Sequence, residues 1–219
     1  MILVPIKNTA SAKQRLAGVL DQTLRTQLAQ AMLQDVLSAL HEWKGRPSVG
    51  IVTGDPCATR LAEEFGFEVI LDPDNPGETG AIEMATRVCV ERGEDSTLVI
   101  PGDIPLIQSW ELEEILKHAP SEGSVLVPAG DGRGTNAAFR RPADLFPLRF
   151  GNDSFKPHHA AAQATGKRCV VLPLPGIAVD VDNPEDLAQL LSLPGETRSQ
   201  KLARQWNLTA RLVTGSDAR

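Results

Sequence analysis

STLVIPGDIPLI, residues 96–107, is the stretch on which the fold turns. Residues 97–101 form a short β-branched and apolar run, the pattern of a buried strand. The run ends in Pro101-Gly102-Asp103-Ile104-Pro105. Gly102 lets the backbone come close to a ligand, and Pro105 keeps the chain from entering a helix at once. A carboxylate is thereby placed directly beyond the end of a strand. The plainer alternative is that Asp103 only closes a turn.

Similar runs recur at residues 2–5, 49–53, 68–71, 124–128, 167–172 and 177–181 and read as strands. Helical patterns fall between and after them, at residues 23–43, 58–65, 80–91, 110–118, 155–165 and 184–191. The first carries Leu24, Leu28, Met32, Val36, Leu40 and Trp43 at helical spacing, a stripe suited to packing on a sheet. Asp182 or Asn183 is placed to cap the helix at 184–191, and Glu185 and Asp186 suit its first turn. Such alternation predicts a mostly parallel sheet, whose ligand crevice lies beyond the carboxyl ends of the strands.

A chain of 219 residues with 42% hydrophobic content can bury one sizeable core. We expect one domain over residues 1–194 and a C-terminal tail over 195–219. In that tail residues 200–208 form a short helix with Leu202 and Trp206 on one side, and disorder follows. The opening Met1-Ile2-Leu3-Val4-Pro5-Ile6 is too short for a signal sequence or a membrane span, which predicts a cytoplasmic protein without a membrane partner. Cys57, Cys89 and Cys169 are odd in number and widely spaced, so they suggest buried thiols rather than disulfides or a zinc site. The net charge of −6 arises from 22 basic and 28 acidic residues without long runs of either sign, which argues against a nucleic-acid partner. An anionic ligand must then be held locally.

Loop chemistry points to such a ligand. Asp180 and Asp182 stand two apart at the end of the expected strand 177–181, where period 2 would put both on one face. Together with Asp103 they offer three hard oxygen donors, a set that suits Mg²⁺. Lys7, Lys13 and Arg15 follow the first strand and can reach phosphate oxygens, although solvated surface cations would look the same. Arg133, Thr135 and Asn136 lie in a glycine-rich loop, and Gly151, Ser154 and Lys156 precede or begin a helix. Both segments could bind anions, or serve as a hairpin turn and an N-cap. His158 and His159 lack metal-ligand partners and suit surface or packing roles.

Taken in order, Lys7, Ala12-Lys13-Gln14-Arg15-Leu16, Pro101-Gly102-Asp103-Ile104-Pro105-Leu106, Gly134-Thr135-Asn136-Ala137, Phe150-Gly151 with Ser154-Phe155, and Val179-Asp180-Val181-Asp182 with Pro184-Glu185-Asp186-Leu187 resemble the 2-phospholactate guanylyltransferase family. That family includes the phosphoenolpyruvate and 3-phosphoglycerate guanylyltransferases of coenzyme F420 biosynthesis. The resemblance spans about residues 1–192. It implies a Rossmann-like (GT-A-like) three-layer α/β nucleotidyltransferase fold with a mostly parallel mixed sheet. It also implies transfer of GMP from GTP to a small phosphorylated acid, and it is compatible with a homodimer. By the same resemblance Lys13, Arg15 and Asp103 are catalytic, and Asp103, Asp180 and Asp182 hold Mg²⁺. Thr135, Asn136, Gly151 and Ser154 bind substrate. Where the family usually shows Gly-Leu-Asn before a helix, this chain has Gly77-Glu78-Thr79-Gly80-Ala81, a departure that bears on base or ribose contacts. Another nucleotidyltransferase of this fold, for a sugar or molybdopterin, and a non-catalytic nucleotide-binding protein are the alternatives.

Overall fold

The computed structural model describes residues 1–73, 77–151 and 153–206. Among these, seven strands form one sheet: β1 (Ile2–Ile6), β2 (Val49–Thr53), β3 (Glu68–Leu71), β4 (Thr97–Val99), β5 (Gly123–Pro128), β6 (Thr135–Arg141) and β7 (Arg168–Val171). Their order is β3-β2-β1-β4-β6-β5-β7. β6 is antiparallel to both neighbours, β4 and β5, and every other pairing is parallel. Since β6 alone runs backwards, it alone brings its first residues, Thr135 and Asn136, to the edge where the other strands end.

The helices are α1 (Gln22–Glu42), α2 (Pro56–Glu64), α3 (Glu78–Glu91), α4 (Ser109–His118), α5 (Phe155–Ala164), α6 (Pro184–Ser192) and α7 (Arg198–Gln205). Strand alternation sorts the core into two faces. Ile2, Val4, Val125, Val127 and Phe139 pack with residues of α1, α2 and α4. Leu3, Leu126 and Ala138 pack with α3 and α5. Three layers follow. A further cluster joins Leu16 and Leu20 of the first loop to Leu28 and Met32 of α1, Leu187 and Leu190 of α6 and Ala203 of α7. Asp35 of α1 accepts from the backbone N–H groups of Arg198 and Ser199, at 2.8 and 2.9 Å, so the tail's helix is seated on the domain. The expected helix end at Leu208 and the disorder beyond lie outside the described residues. Cys89 is buried, whereas Cys57 and Cys169 are half-buried. Among the described residues no helix is long and apolar enough to cross a membrane.

Two sequence expectations need correction. Residues 177–181 are not a strand: Glu111 accepts from Gly176 N–H at 2.7 Å, Ala178 N–H donates to Leu174 O at 2.9 Å, and Val181 N–H donates to Asp103 O at 3.3 Å. The segment is a strap across the strand ends, and its Ile177 and Val181 enter the cores without sheet pairing. Conversely, Thr135 and Asn136, expected in a glycine-rich loop, begin β6, which carries little strand signal of its own because Thr135-Asn136 and Arg140-Arg141 flank only three apolar residues. Pairing on both sides makes it a strand, with buried Arg140 donating to Phe146 O, Thr86 Oγ1 and Thr97 Oγ1. At the other end of the strap Asn183, not Asp182, caps α6 and exchanges bonds with Asp186.

The strap depends on a close approach at Gly176, where a β-carbon would lie 2.4 Å from both Leu106 O and Glu111 Oε2. Gly176→Ala is expected to lower the unfolding free energy by about 1–3 kcal/mol. Urea denaturation reads this directly, and an unchanged midpoint would mean that the strap is free to shift.

Candidate active site

The loop after β1 is built from two short 3₁₀ turns, Thr9–Ser11 and Gln14–Leu16. Asp55, the N-cap of α2, accepts from Thr9 N–H and Oγ1 at 2.8 and 3.0 Å, and Leu16 anchors the far end in the core. Between the turns Lys13 adopts a left-handed backbone, φ 57° and ψ 42°. A residue with a β-carbon pays about 1–2 kcal/mol for that conformation. What the strain achieves is visible at the other end of the side chain. The Lys13 ammonium stands 2.5 Å from Asp103 Oδ2 and 2.8 Å from Asp182 Oδ1. Arg15 Nη1 lies 3.5 Å from Asp182 Oδ2.

Burial alone would pull the Lys13 pKa down, but the charges and hydrogen bonds of Asp103 and Asp182 outweigh it and hold it above the ordinary lysine value. Lys13 is therefore a fixed cation and cannot act as a base. The expectation of a solvated surface cation fails for Lys13, whose side chain is buried, and suits the exposed Lys7 and Arg15 better. Burial raises the Asp182 carboxyl, yet the charge of Lys13 more than reverses this and the net shift is downward. Asp180 differs. Burial raises its pKa against a 3.0 Å hydrogen bond from Asn136 Nδ2, and the charges of Asp103 and Asp182 add to the rise.

The three aspartates thus do not form one cage as expected, because an ammonium bridges two of them. Among the described residues no group of three or more His, Cys, Asp or Glu side chains is placed to hold a metal ion. Carboxylate oxygens remain the chemistry that Mg²⁺ takes, and that ion needs only one or two of them when phosphate oxygens complete its shell. The donor set fits an ion shared with a ligand's phosphates.

Two cavities meet at Asp182 and Arg15. One, about 410 Å³, is lined by Lys7, Lys13, Glu78 and Asp103 over an apolar floor of Ile6, Met32 and Leu33. The other, about 560 Å³ and polar, is lined by Arg133, Gly151, Asp153 and Asp180. Glu78 opens α3 in the departing loop and was not foreseen as a site residue. Burial, followed by the Asp103 charge, pushes its pKa up to about 7 against the pull of Lys7. Its sequence signal was its place in the departing Gly77-Glu78-Thr79-Gly80-Ala81 stretch.

Thr135 and Ser154 lie behind the polar cavity rather than in it. Both are buried, and Ser154 Oγ accepts from Thr135 N–H at 3.1 Å. His158 joins this layer. Its Nε2 accepts from Arg149 N–H at 2.8 Å, so the ring hydrogen is on Nδ1, which donates to Thr135 Oγ1 at 2.9 Å. Burial, then the charge of Arg140, lowers its pKa to about 4. Thr79 Oγ1 accepts from Phe150 N–H at 3.1 Å, so the backbone before Gly151 is held from two sides. Asn136 Nδ2 also donates to Ile177 O at 2.9 Å, fixing the strap beside Asp180. Arg133, offered as an anion donor, is exposed and pairs with Asp153 at 2.5 and 3.0 Å.

A family model described as "Guanylyl transferase CofC like" matches residues 1–219. A phosphoenolpyruvate guanylyltransferase of Conexibacter woesei is 34% identical over 198 residues, covering 90% of this chain and 89% of the relative. A 2-phospho-L-lactate guanylyltransferase of Methanothermobacter thermautotrophicus is 32% identical over 216 residues, covering 98% and 94%. Among solved structures, a protein of Desulfovibrio desulfuricans G20 described as a nucleotide-diphospho-sugar transferase superposes with a TM-score of 0.76 at 19% identity. It covers 98% of this chain and 96% of that one, and it bears out the fold.

Two variants probe this geometry. Lys13→Met leaves Asp103 without its cation and Asp182 with only the exposed Arg15, and is expected to cost about 1–3 kcal/mol at pH 7, nearer the lower figure because Asp182 is partly exposed. The difference from wild type should shrink at acid pH, below the ordinary aspartate range, because the Asp182 carboxyl that Lys13 holds down takes up its proton only there. Denaturation at the two pH values reads it, and equal stability at pH 7 would show that the pairs contribute nothing. For His158 the folded pKa lies below the unfolded one, so the unfolded chain takes up the proton first as pH falls. Stability should drop by up to about 3 kcal/mol between about pH 6.5 and pH 4. His158→Gln should flatten that part of the profile, and an identical slope in the variant would contradict the assignment.

Proposed function

The chain belongs to the CofC-like guanylyl transferase family, and from that premise we propose that it joins GMP from GTP to a phosphorylated three-carbon acid, releasing diphosphate, in coenzyme F420 biosynthesis. The acid is phosphoenolpyruvate, 2-phospho-L-lactate or 3-phospho-D-glycerate. The observation that carries this reading is the junction of two cavities at the Lys13–Asp103–Asp182 network, one lined by lysines and carboxylates over an apolar floor and the other mostly polar. Two anionic substrates entering from the two sides would meet there. Relatives named for such guanylyl transfers match almost the whole chain.

In this reading an oxygen of the acid's phosphate attacks the α-phosphorus of GTP, and the bond from that phosphorus to the β-phosphate oxygen breaks. A phosphate monoester is largely ionised near neutral pH, so no proton has to be removed from the attacker. Lys13 holds its charge through the reaction and offers it to phosphate oxygens, with Arg15 at the rim. Asp103 and Asp180 are the residues that would hold Mg²⁺: Asp103 meets Lys13 through Oδ2 alone and Asp180 has only the neutral amide of Asn136, whereas both oxygens of Asp182 face cations, Lys13 and Arg15. The ion's contribution there is to neutralise crowded phosphate oxygens and align them. Asn136 positions Asp180, and Gly151 with the buried Thr135–Ser154–His158 layer shapes the acid side. Such an enzyme acts on small molecules of the cytoplasm.

The test supplies GTP and Mg²⁺ with each of the three acids, follows diphosphate release and identifies the product by mass. One acid is expected to exceed the others. Asp103→Asn should keep the fold and lose about a hundredfold or more in kcat. Activity with a sugar phosphate or molybdopterin and with none of the acids would overturn the reading, as would a near-normal kcat in the variant.

A further inference from the structure

The first turn of α3 reaches toward both cavities. Glu78 lines the one that contains Lys7 and Lys13. The next residue, the half-buried Thr79, serves Phe150 instead: its Oγ1 accepts from Phe150 N–H at 3.1 Å and donates to Phe150 O at 3.5 Å, the weaker of the two bonds. In a helix interior a threonine hydroxyl turns back to the carbonyl one turn earlier, whereas in a first turn it can bond another segment. One side chain thus fixes the peptide groups on both sides of Phe150. Among the described residues no other group is bonded to the Phe150 N–H or O. The helix that carries Thr79 is firmly seated, since Ala81, Ile82, Ala85 and Cys89 pack in one cluster with Phe146 and Leu148, which lead into this segment. Gly151 follows and lines the polar cavity. Its φ of 139° is one that residues with a β-carbon rarely adopt, although a β-carbon there would meet nothing within 4 Å. What Gly151 presents to the cavity is therefore its backbone, in a conformation set by its neighbours.

We propose that Thr79 is a positioning residue for the phosphorylated acid, acting through Phe150 to set where the Gly151 backbone meets it. The proposal rests on the guanylyl-transfer reading above, in which Gly151 lies on the acid side. Two adjacent residues of the departing Gly77–Ala81 stretch then serve different substrates. Glu78 borders the cavity of the lysines, while Thr79, from the same helical turn, governs the other cavity without lining it. A small displacement of a substrate-binding backbone weakens binding even where no contact to the substrate is removed, so loss of the Thr79 hydroxyl is felt by the acid and not by the nucleotide.

The experiment measures kcat and the KM of each substrate with GTP, Mg²⁺ and the most active of the three acids. Thr79→Val keeps the shape of the side chain and removes the hydroxyl. The KM for the acid should rise about fivefold to thirtyfold, while the KM for GTP stays within about twofold. Thr79→Ser restores both bonds and should bring the acid KM back to within about twofold of the wild type. Gly151→Ala strains the same backbone and should also raise the acid KM, and joined to Thr79→Val it should raise it by less than the product of the two effects. An unchanged acid KM in a folded Thr79→Val overturns the proposal, as do an equal rise in the KM for GTP, a serine variant that does not rescue, and a fully multiplicative double variant. If Thr79→Val fails to fold, Thr79→Ala carries the same expectations and the same refutations. In all these cases the wild type still joins GMP to an acid, so the guanylyl-transfer reading stands. Failure of that reading looks different: the wild type itself would yield no guanylylated product with any of the three acids, and the proposal would fall with it.

Discussion

The ammonium of Lys13, held between Asp103 and Asp182, is the contact on which the site depends. It joins the first loop, the turn after β4 and the strap before α6, three segments that are remote in sequence. Each would be out of place without the others. The left-handed backbone at Lys13 is retained because the turns on either side, the Asp55 cap and the burial of Leu16 over-determine it. The two carboxylates tolerate close approach because a cation lies between them. A fixed charge and two hard oxygen donors are thus prearranged in the crevice.

The rest of the fold serves to bring donors to that point. In a sheet of parallel strands only carboxyl ends reach the crevice, and reversal of β6 is what adds Thr135 and Asn136 to it. Asn136 then binds both the strap and Asp180. Behind it, His158 uses both ring nitrogens to tie the backbone before Gly151 to β6. Interior hydrogen bonds, rather than surface charges, set the shape of the polar cavity.

How much of this was legible in the sequence depended on the kind of signal. β1, β2, β3, β4, β5 and β7 could be read because each carries a β-branched or apolar run, and α1 because its stripe repeats at helical spacing. β6 could not, since its residues are small or charged and become a strand only through two neighbours. The strap misled for the opposite reason: Ile177, Val179 and Val181 alternate like a strand but pack without pairing. Asp103 and Lys13 were visible as reactive groups beyond strand ends, and Asp182 was singled out beyond a run that proved to be the strap. That the lysine would sit between the two aspartates was not, because partner choice is a matter of three-dimensional register. Thr135 and Ser154 stood out as hydroxyls in loops, while their burial behind the cavity had no local signature.

The docking of α7 bears on how the molecule is made. Synthesis proceeds from the N-terminus, and domains organise as their segments emerge. The first loop, with Leu16 and Leu20, leaves the ribosome early, whereas Ala203 and the groups capped by Asp35 come after every other described element. The floor beneath the first loop is therefore finished last. Until α7 arrives, a nascent chain can pair its sheet and hold most of its core, yet the platform that aims Lys13 is incomplete, so folding of the bulk and maturation of the crevice are separate events in time.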